Sequence, residues 1–145
     1  MKKIILTLAV ALSTLCSFAG EGKVSSKVLD AFKTDFASAK ETTWTANNDY
    51  YKAAFIFNDQ HVFAFYSTEG ELMGTTRFIS SLDVPISLQA GLKKDYNNYW
   101  ISDLFEVSNT DGTSYYITLE NAESKVVLKS TGGDSWKNYQ KKTKA

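Results

Sequence analysis

The rhythm of its turns most constrains what this chain can fold into. From residue 41 onward, short β-branched and aromatic runs alternate with small clusters of turn-forming residues. ETTWTA (41–46), YYKAAFIF (50–57), HVFAFYS (61–67) and ELMGTTRFIS (71–80) each read as a strand. Asn47-Asn48-Asp49, Asn58-Asp59-Gln60 and Thr68-Glu69-Gly70 read as the turns between them. Strands joined by so few residues pair as antiparallel hairpins. Ahead of them, SSKVLDAFKTDFASA (25–39) places Val28, Leu29, Phe32, Phe36 and Ala39 on one helical face, with Ser25 or Ser26 as N-cap.

The same order then returns. SLDVP (81–85) interrupts the strands, and Leu88, Leu92, Tyr96 and Tyr99 line one face of a second helix over 86–99. Strands follow over 101–107, 114–120, 125–130 and 135–140, with turns at Asp111-Gly112 and Gly132-Gly133-Asp134. Local matches reinforce the repeat. KTDF (33–36) aligns with KKDY (93–96), Phe55 and Phe57 with Tyr115 and Ile117, and STEGEL (67–72) with STGGDS (130–135). The expected class is α+β: two tandem helix-plus-antiparallel-sheet repeats (about 25–80 and 84–140) forming one sheet, with the helices packed on one face.

The first twenty residues belong to another purpose. Lys2 and Lys3 precede an apolar run from Ile4 to Leu15, and Ser17 and Ala19 stand at the −3 and −1 positions of a signal peptidase site. The run is shorter than the roughly 20 residues of a spanning helix. Residues 1–19 are therefore expected to be a signal peptide, leaving 20–145 as a single exported domain, periplasmic or secreted, with no stable membrane insertion after cleavage. Leu15 ahead of Cys16 argues against a lipoprotein signal. The mature chain carries 14 basic and 16 acidic residues and no cysteine. That balance argues against nucleic-acid binding, which needs an excess of Lys and Arg. The loss of Cys16 removes thiolate catalysis, Cys-ligated zinc and iron–sulfur clusters together.

Several of these segments resemble the PepSY-like family of small secreted bacterial domains, also called beta-lactamase-inhibitor-like. The resemblance rests on a helix ending in x-K-x-D-[FY], Trp44 in the first strand, Tyr50-Tyr51 in the second, Val84-Pro85 opening the second helix, and an S-T-x-G turn before the last strand. It spans roughly 25–140 and implies two helix-plus-sheet units and an exported location. It implies binding or inhibition more weakly, and it carries over no inhibitory residue.

No catalytic constellation is legible. There is no S-x-x-K, no G-x-S-x-G and no phosphate-cradling glycine loop. His61 is the sole histidine, and a strand position at the sheet edge or in the core explains it better than a general base. NTDGTSYYITLE (109–120) lacks the acid and glycine a calcium loop requires, so a hairpin is the better reading. The chain is expected to be no enzyme and to need no cofactor or metal.

The aromatic residues carry the remaining signal. Alternation assigns Tyr51, Phe55, Phe57, Phe63 and Phe65 to the helix-facing side of the first half, and Tyr115, Ile117, Leu119, Val126 and Leu128 to that of the second. The opposite side then carries Tyr50, Lys52, Ile56, Val62, Tyr66, Tyr116, Thr118, Lys125, Val127 and Lys129. Tyrosine suits interfaces because it buries a large ring and keeps a polar tip. The expected function is a binding module for a protein or peptide, with an inhibitor-like role among its forms, and with Tyr50, Tyr66, Tyr116 and Lys129 at its surface. The alternative is a small-ligand sensor or carrier that holds its ligand between helices and sheet. A hydrolase built around His61 is a third and weaker reading.

Overall fold

The computed structural model describes residues 23–144; the expected signal peptide, with Cys16, lies outside the described residues. Among the described residues the fold is α+β, with two helices and one eight-stranded antiparallel sheet. The elements run α1 (Ser26–Asp35), β1 (Lys40–Ala46), β2 (Tyr50–Phe57), β3 (Gln60–Ser67), β4 (Leu72–Phe78), α2 (Ile86–Asp95), β5 (Trp100–Asn109), β6 (Gly112–Glu120), β7 (Ser124–Thr131) and β8 (Lys137–Thr143). The strands lie in the sheet in chain order. Two compact units are distinguishable. One extends through Asp59 and includes Phe63–Met73; the other comprises Gln60–Val62 and the chain from Gly74 onward.

In the first unit, Ser25 caps α1 by accepting the Val28 N–H at 3.4 Å. The helix stops at Asp35, short of the expected residue 39, because Phe36 leaves helical geometry at φ −132°. That departure lays the Phe36 ring against Phe55 and Phe57, with centroids 4.8 and 5.5 Å away. Phe32 packs edge-on against Trp44 and Phe55 at 5.1 and 5.0 Å. Ala53 and Ala64 are fully buried among these rings.

In the second unit, Pro85 precedes α2 and offers no side-chain cap. Asp83 braces the approach instead, accepting from the Ser80 N–H at 2.8 Å and its hydroxyl at 2.7 Å. These bonds hold the Asp83 carboxyl below the usual carboxylate range. α2 ends at Asp95, with Tyr96 closing it through an N–H to the Leu92 carbonyl. Leu88 sits in a cluster with Leu104, Ile117, Leu119, Val126 and Leu128. The turn between β7 and β8 grips the helix from outside. Ser87 donates to the Gly133 carbonyl at 2.7 Å, and the Trp136 indole donates to the Leu88 carbonyl at 2.9 Å.

The structure corrects the expected faces of β3. Asn58 and Asp59 alone form the turn, both at positive φ (50° and 61°), and the strand starts at Gln60. This is one residue earlier than a three-residue turn would allow, and the side-chain period of two makes a single-residue slip reverse the face. Tyr66 therefore lies on the helix side, fully buried, 6.4 Å from Phe32. Phe63 and Phe65 lie on the reverse side, beside Lys52 and Tyr50.

Candidate partner-binding face

The strand registers of the second unit build one row of side chains. Leu104, Ile117 and Leu128 are successive cross-strand partners and face Leu88 of α2. One residue along each strand, alternation points the side chains to the reverse side. There Phe78 pairs with Phe105, Phe105 with Tyr116, Tyr116 with Lys129, and Lys129 with Lys137, across five strands. Phe105 and Tyr116 stack at 5.2 Å with planes only 8° apart. Phe78 meets Phe105 edge-on at 6.4 Å. The Lys129 amine sits 5.2 Å above the Tyr116 ring.

A bulge completes the row. The β7–β8 register shifts between Val127 and Leu128, whose partners are Gln140 and Asn138. Tyr139 is the extra residue, and its ring meets Tyr116 edge-on at 5.6 Å. The neighbours shield Tyr116 so well that it keeps only 4% of its exposure, whereas Phe78 at the far end keeps 50%. The face thus has a rigid buried centre and an accessible aromatic rim.

Charge is distributed unevenly across this side. Glu120 receives Lys144 at 2.8 Å and Lys125 at 3.5 Å, and the hydrogen bond from Lys144 is the first cause holding the Glu120 carboxyl below its ordinary range. Asp103 is pushed up by burial. Among the described residues no carboxylate lies within ion-pair distance of Lys129 or Lys137. The aromatic row ends in two uncompensated ammonium groups.

The structure brings two of the four expected site residues together, Tyr116 and Lys129. Tyr116 shares the expected face but is buried rather than exposed. Tyr50 is half-buried in the first unit, 5.9 Å from the Phe65 ring. Tyr66 is withdrawn from any surface. It lies under α1 and donates its phenol to the Asp35 carboxylate at 2.9 Å. Burial, then that bond and charge, push the phenol far above its ordinary range. Val62, expected on the open face, is also buried. His61 is exposed. Phe78, Phe105, Tyr139 and Lys137 join the site without having been expected there. Cross-strand register could have found Phe105, but Tyr139 depends on a bulge with no sequence signature.

A groove lies beside α2 in the same unit. This groove of about 510 Å³ is lined chiefly by Ile86, Leu92, Tyr96, Tyr99, Ile101 and Leu119, with Gln89 and Lys93 among its polar residues. Among the described residues no helix is long and apolar enough to cross a membrane, and no group of three His, Cys, Asp or Glu could hold a metal ion.

With this geometry in place, comparison with known proteins gives a consistent fold. No family profile matches the chain, and no curated protein matches it. Solved structures do. A BLIP-like protein from Bacteroides fragilis matches with a TM-score of 0.71 and 18% identity, over 92% of this chain and 91% of that one. A protein from Bacteroides eggerthii, provisionally described as periplasmic, matches with a TM-score of 0.73 and 14% identity, over 84% and 90%. A DUF2874 family protein from Bacteroides uniformis matches with a TM-score of 0.72 and 14% identity, over 82% and 88%. The chain therefore has a BLIP-like fold, and the likeness at these identities is one of fold alone.

Proposed function

We propose that the chain is an exported, non-enzymatic binding domain, periplasmic or secreted, that recognises a protein or peptide through the reverse side of its sheet. The observation that carries this reading is the row Phe78–Phe105–Tyr116–Tyr139 beside Lys129 and Lys137, which have no carboxylate partner among the described residues. Aromatic rings held rigid by their neighbours give up little side-chain entropy on binding. Free cations at the rim add orientation and speed of encounter rather than bulk affinity. Tyr116 and Lys129 stay in the proposed site, Tyr50 belongs to a second aromatic–lysine patch in the first unit, and Tyr66 is a structural residue. The likeness to a BLIP-like protein supports a protein partner and an inhibitor-like role, and the likeness to a protein provisionally described as periplasmic supports the location. Membership of the PepSY-like family and an origin by duplication of an α-β4 unit belong to the same reading, supported by the repeated element order.

The test uses Phe78→Ala combined with Lys137→Ala, two accessible side chains whose loss leaves the core intact. Partners recovered from the native envelope by wild type are purified and titrated against both proteins. Binding weakened about thirtyfold or more, the size of one interface hot spot, supports the reading. Equal affinity for every recovered partner removes this face as the site. The carrier reading rests on the groove beside α2. It predicts that a small apolar ligand perturbs Tyr96 and Tyr99 while leaving Phe78 unchanged.

A further inference from the structure

The last strand of the sheet presents a feature that the aromatic row does not use. β8 has no neighbour on its outer side among the described residues. An edge strand leaves half its backbone N–H and C=O groups free to pair with another chain. β8 contains no proline, so no donor is missing from that edge, and it contains no acid. Its charges are all positive: Lys137, Lys141 and Lys142.

Those lysines are arranged at a cost. Lys137 stands directly opposite Lys129, and Lys142 directly opposite Lys125. Like charges in cross-strand positions destabilise a sheet. Among the described residues only Lys125 of these four is compensated, by Glu120 at 3.5 Å. Lysines on an edge normally deter pairing with apolar strands. The same lysines attract an acidic strand, whose carboxylates would relieve the repulsion.

We propose that β8 accepts an acidic extended peptide segment of a partner protein as a ninth, antiparallel strand. The register follows from the sequence of the edge. A partner residue opposite Lys142 is followed by one opposite Lys141, and the fifth residue after the first lies opposite Lys137. The segment therefore carries acids at its first, second and sixth positions. Paired residue for residue, the segment follows the β8 bulge at Tyr139; the carboxylates opposite Lys137 and Lys142 then fall on the aromatic-row side, and the one opposite Lys141 on the α2 side, as the pairing of β8 with β7 dictates. Main-chain bonds supply affinity in this mode and the side-chain spacing supplies specificity. The proposal rests on the binding-module reading only in taking the partner to be a protein.

The experiment titrates isotope-labelled mature protein with the peptide Glu-Glu-Thr-Val-Thr-Glu, blocked at both ends, and follows backbone amide shifts and exchange. Saturable shifts confined to β8 and β7, with slower exchange along β8, are expected. Lys141→Ala/Lys142→Ala should weaken binding at least fivefold, and Phe78→Ala should leave it unchanged, which separates this site from the aromatic row. A peptide of the same composition with its acids at positions three, four and five should bind at least fivefold more weakly. Equal binding of both peptides, equal binding of an oligothymidylate of matching charge, or shifts centred on Phe78 and Tyr116 instead of β8 would overturn the proposal, as would no saturable binding at low salt.

Discussion

The two units each pack one helix on strands of the sheet and fill the space between with opposite materials. Under α1 the core is chiefly aromatic: Phe32 from the helix and Phe36 just past its end meet Trp44, Phe55 and Phe57. Under α2 it is aliphatic: Leu88 is the one buried helix residue, and Leu104, Ile117, Leu119, Val126 and Leu128 rise from the sheet to meet it. The difference lies in who supplies the bulk. α1 brings large rings, so the sheet provides room at Ala53 and Ala64. α2 buries one leucine fully and packs Leu92 at the edge, so the strands provide most of the volume, and Trp136 adds to it from outside. Close packing fixes the sum of the facing side chains rather than the contribution of each partner. The means of anchoring differ too. α1 is capped by its own Ser25, whereas α2 lacks a side-chain cap and is held by the β7–β8 turn.

This contrast can be broken or sharpened by measurement. Phe32→Ala should cost about 3–5 kcal/mol and Leu88→Ala about 2–5 kcal/mol, because the first removes a ring that touches several others. Equal losses in chemical denaturation would show that the two cores are alike in strength despite their chemistry. Gly133→Ala should cost about 2–3 kcal/mol, since a Cβ there would stand 2.8 Å from Pro85 Cγ in a backbone held at φ +82°. Gly132→Ala is the control: its φ is +80° but nothing lies within 4 Å, so only the backbone term of about 1 kcal/mol remains. If the two variants melt together, the turn does not clamp α2.

The smallest effect is tied to pH. Tyr66→Phe should cost about 1 kcal/mol at neutral pH by removing the bond to Asp35. The folded Tyr66 phenol is held far above its unfolded value, so its stabilisation is complete below the ordinary phenol range. Above that range the unfolded chain ionises first and the contribution is lost. The gap between wild type and Tyr66→Phe should therefore narrow, then reverse, as alkaline unfolding is followed to high pH. A constant gap would mean that Tyr66 is not the group concerned.

Periodicity made most of the fold legible. Both helices and all eight strands stand where the alternation and turn residues put them, within a few residues at each end. The faces of β6 and β7 also follow from sequence, with Ile117, Leu119, Val126 and Leu128 on the helix side as expected. The phase of β3 was not legible. Aromatic Phe63 and Phe65 look like core residues, but the rings of Phe32 in α1 and Phe36 just past it need alanine opposite them. Most of the candidate row was hidden for related reasons. The stacking of Phe105 on Tyr116 requires the β5–β6 register, and Tyr139 joins only because one residue of β8 bulges.

The clamp on α2 also has a meaning in time. Its two bonds, from Ser87 to Gly133 and from Trp136 to Leu88, join residues 46 and 48 positions apart. The N-cap of α1 joins residues three apart. Closure over such distances is slow relative to forming a helical turn. The first helix can be set as soon as its own residues are available, whereas the second waits for the final hairpin. Until that hairpin arrives, the leucine cluster stands open to water, and this interval is when the chain is most exposed to proteases and to its own copies.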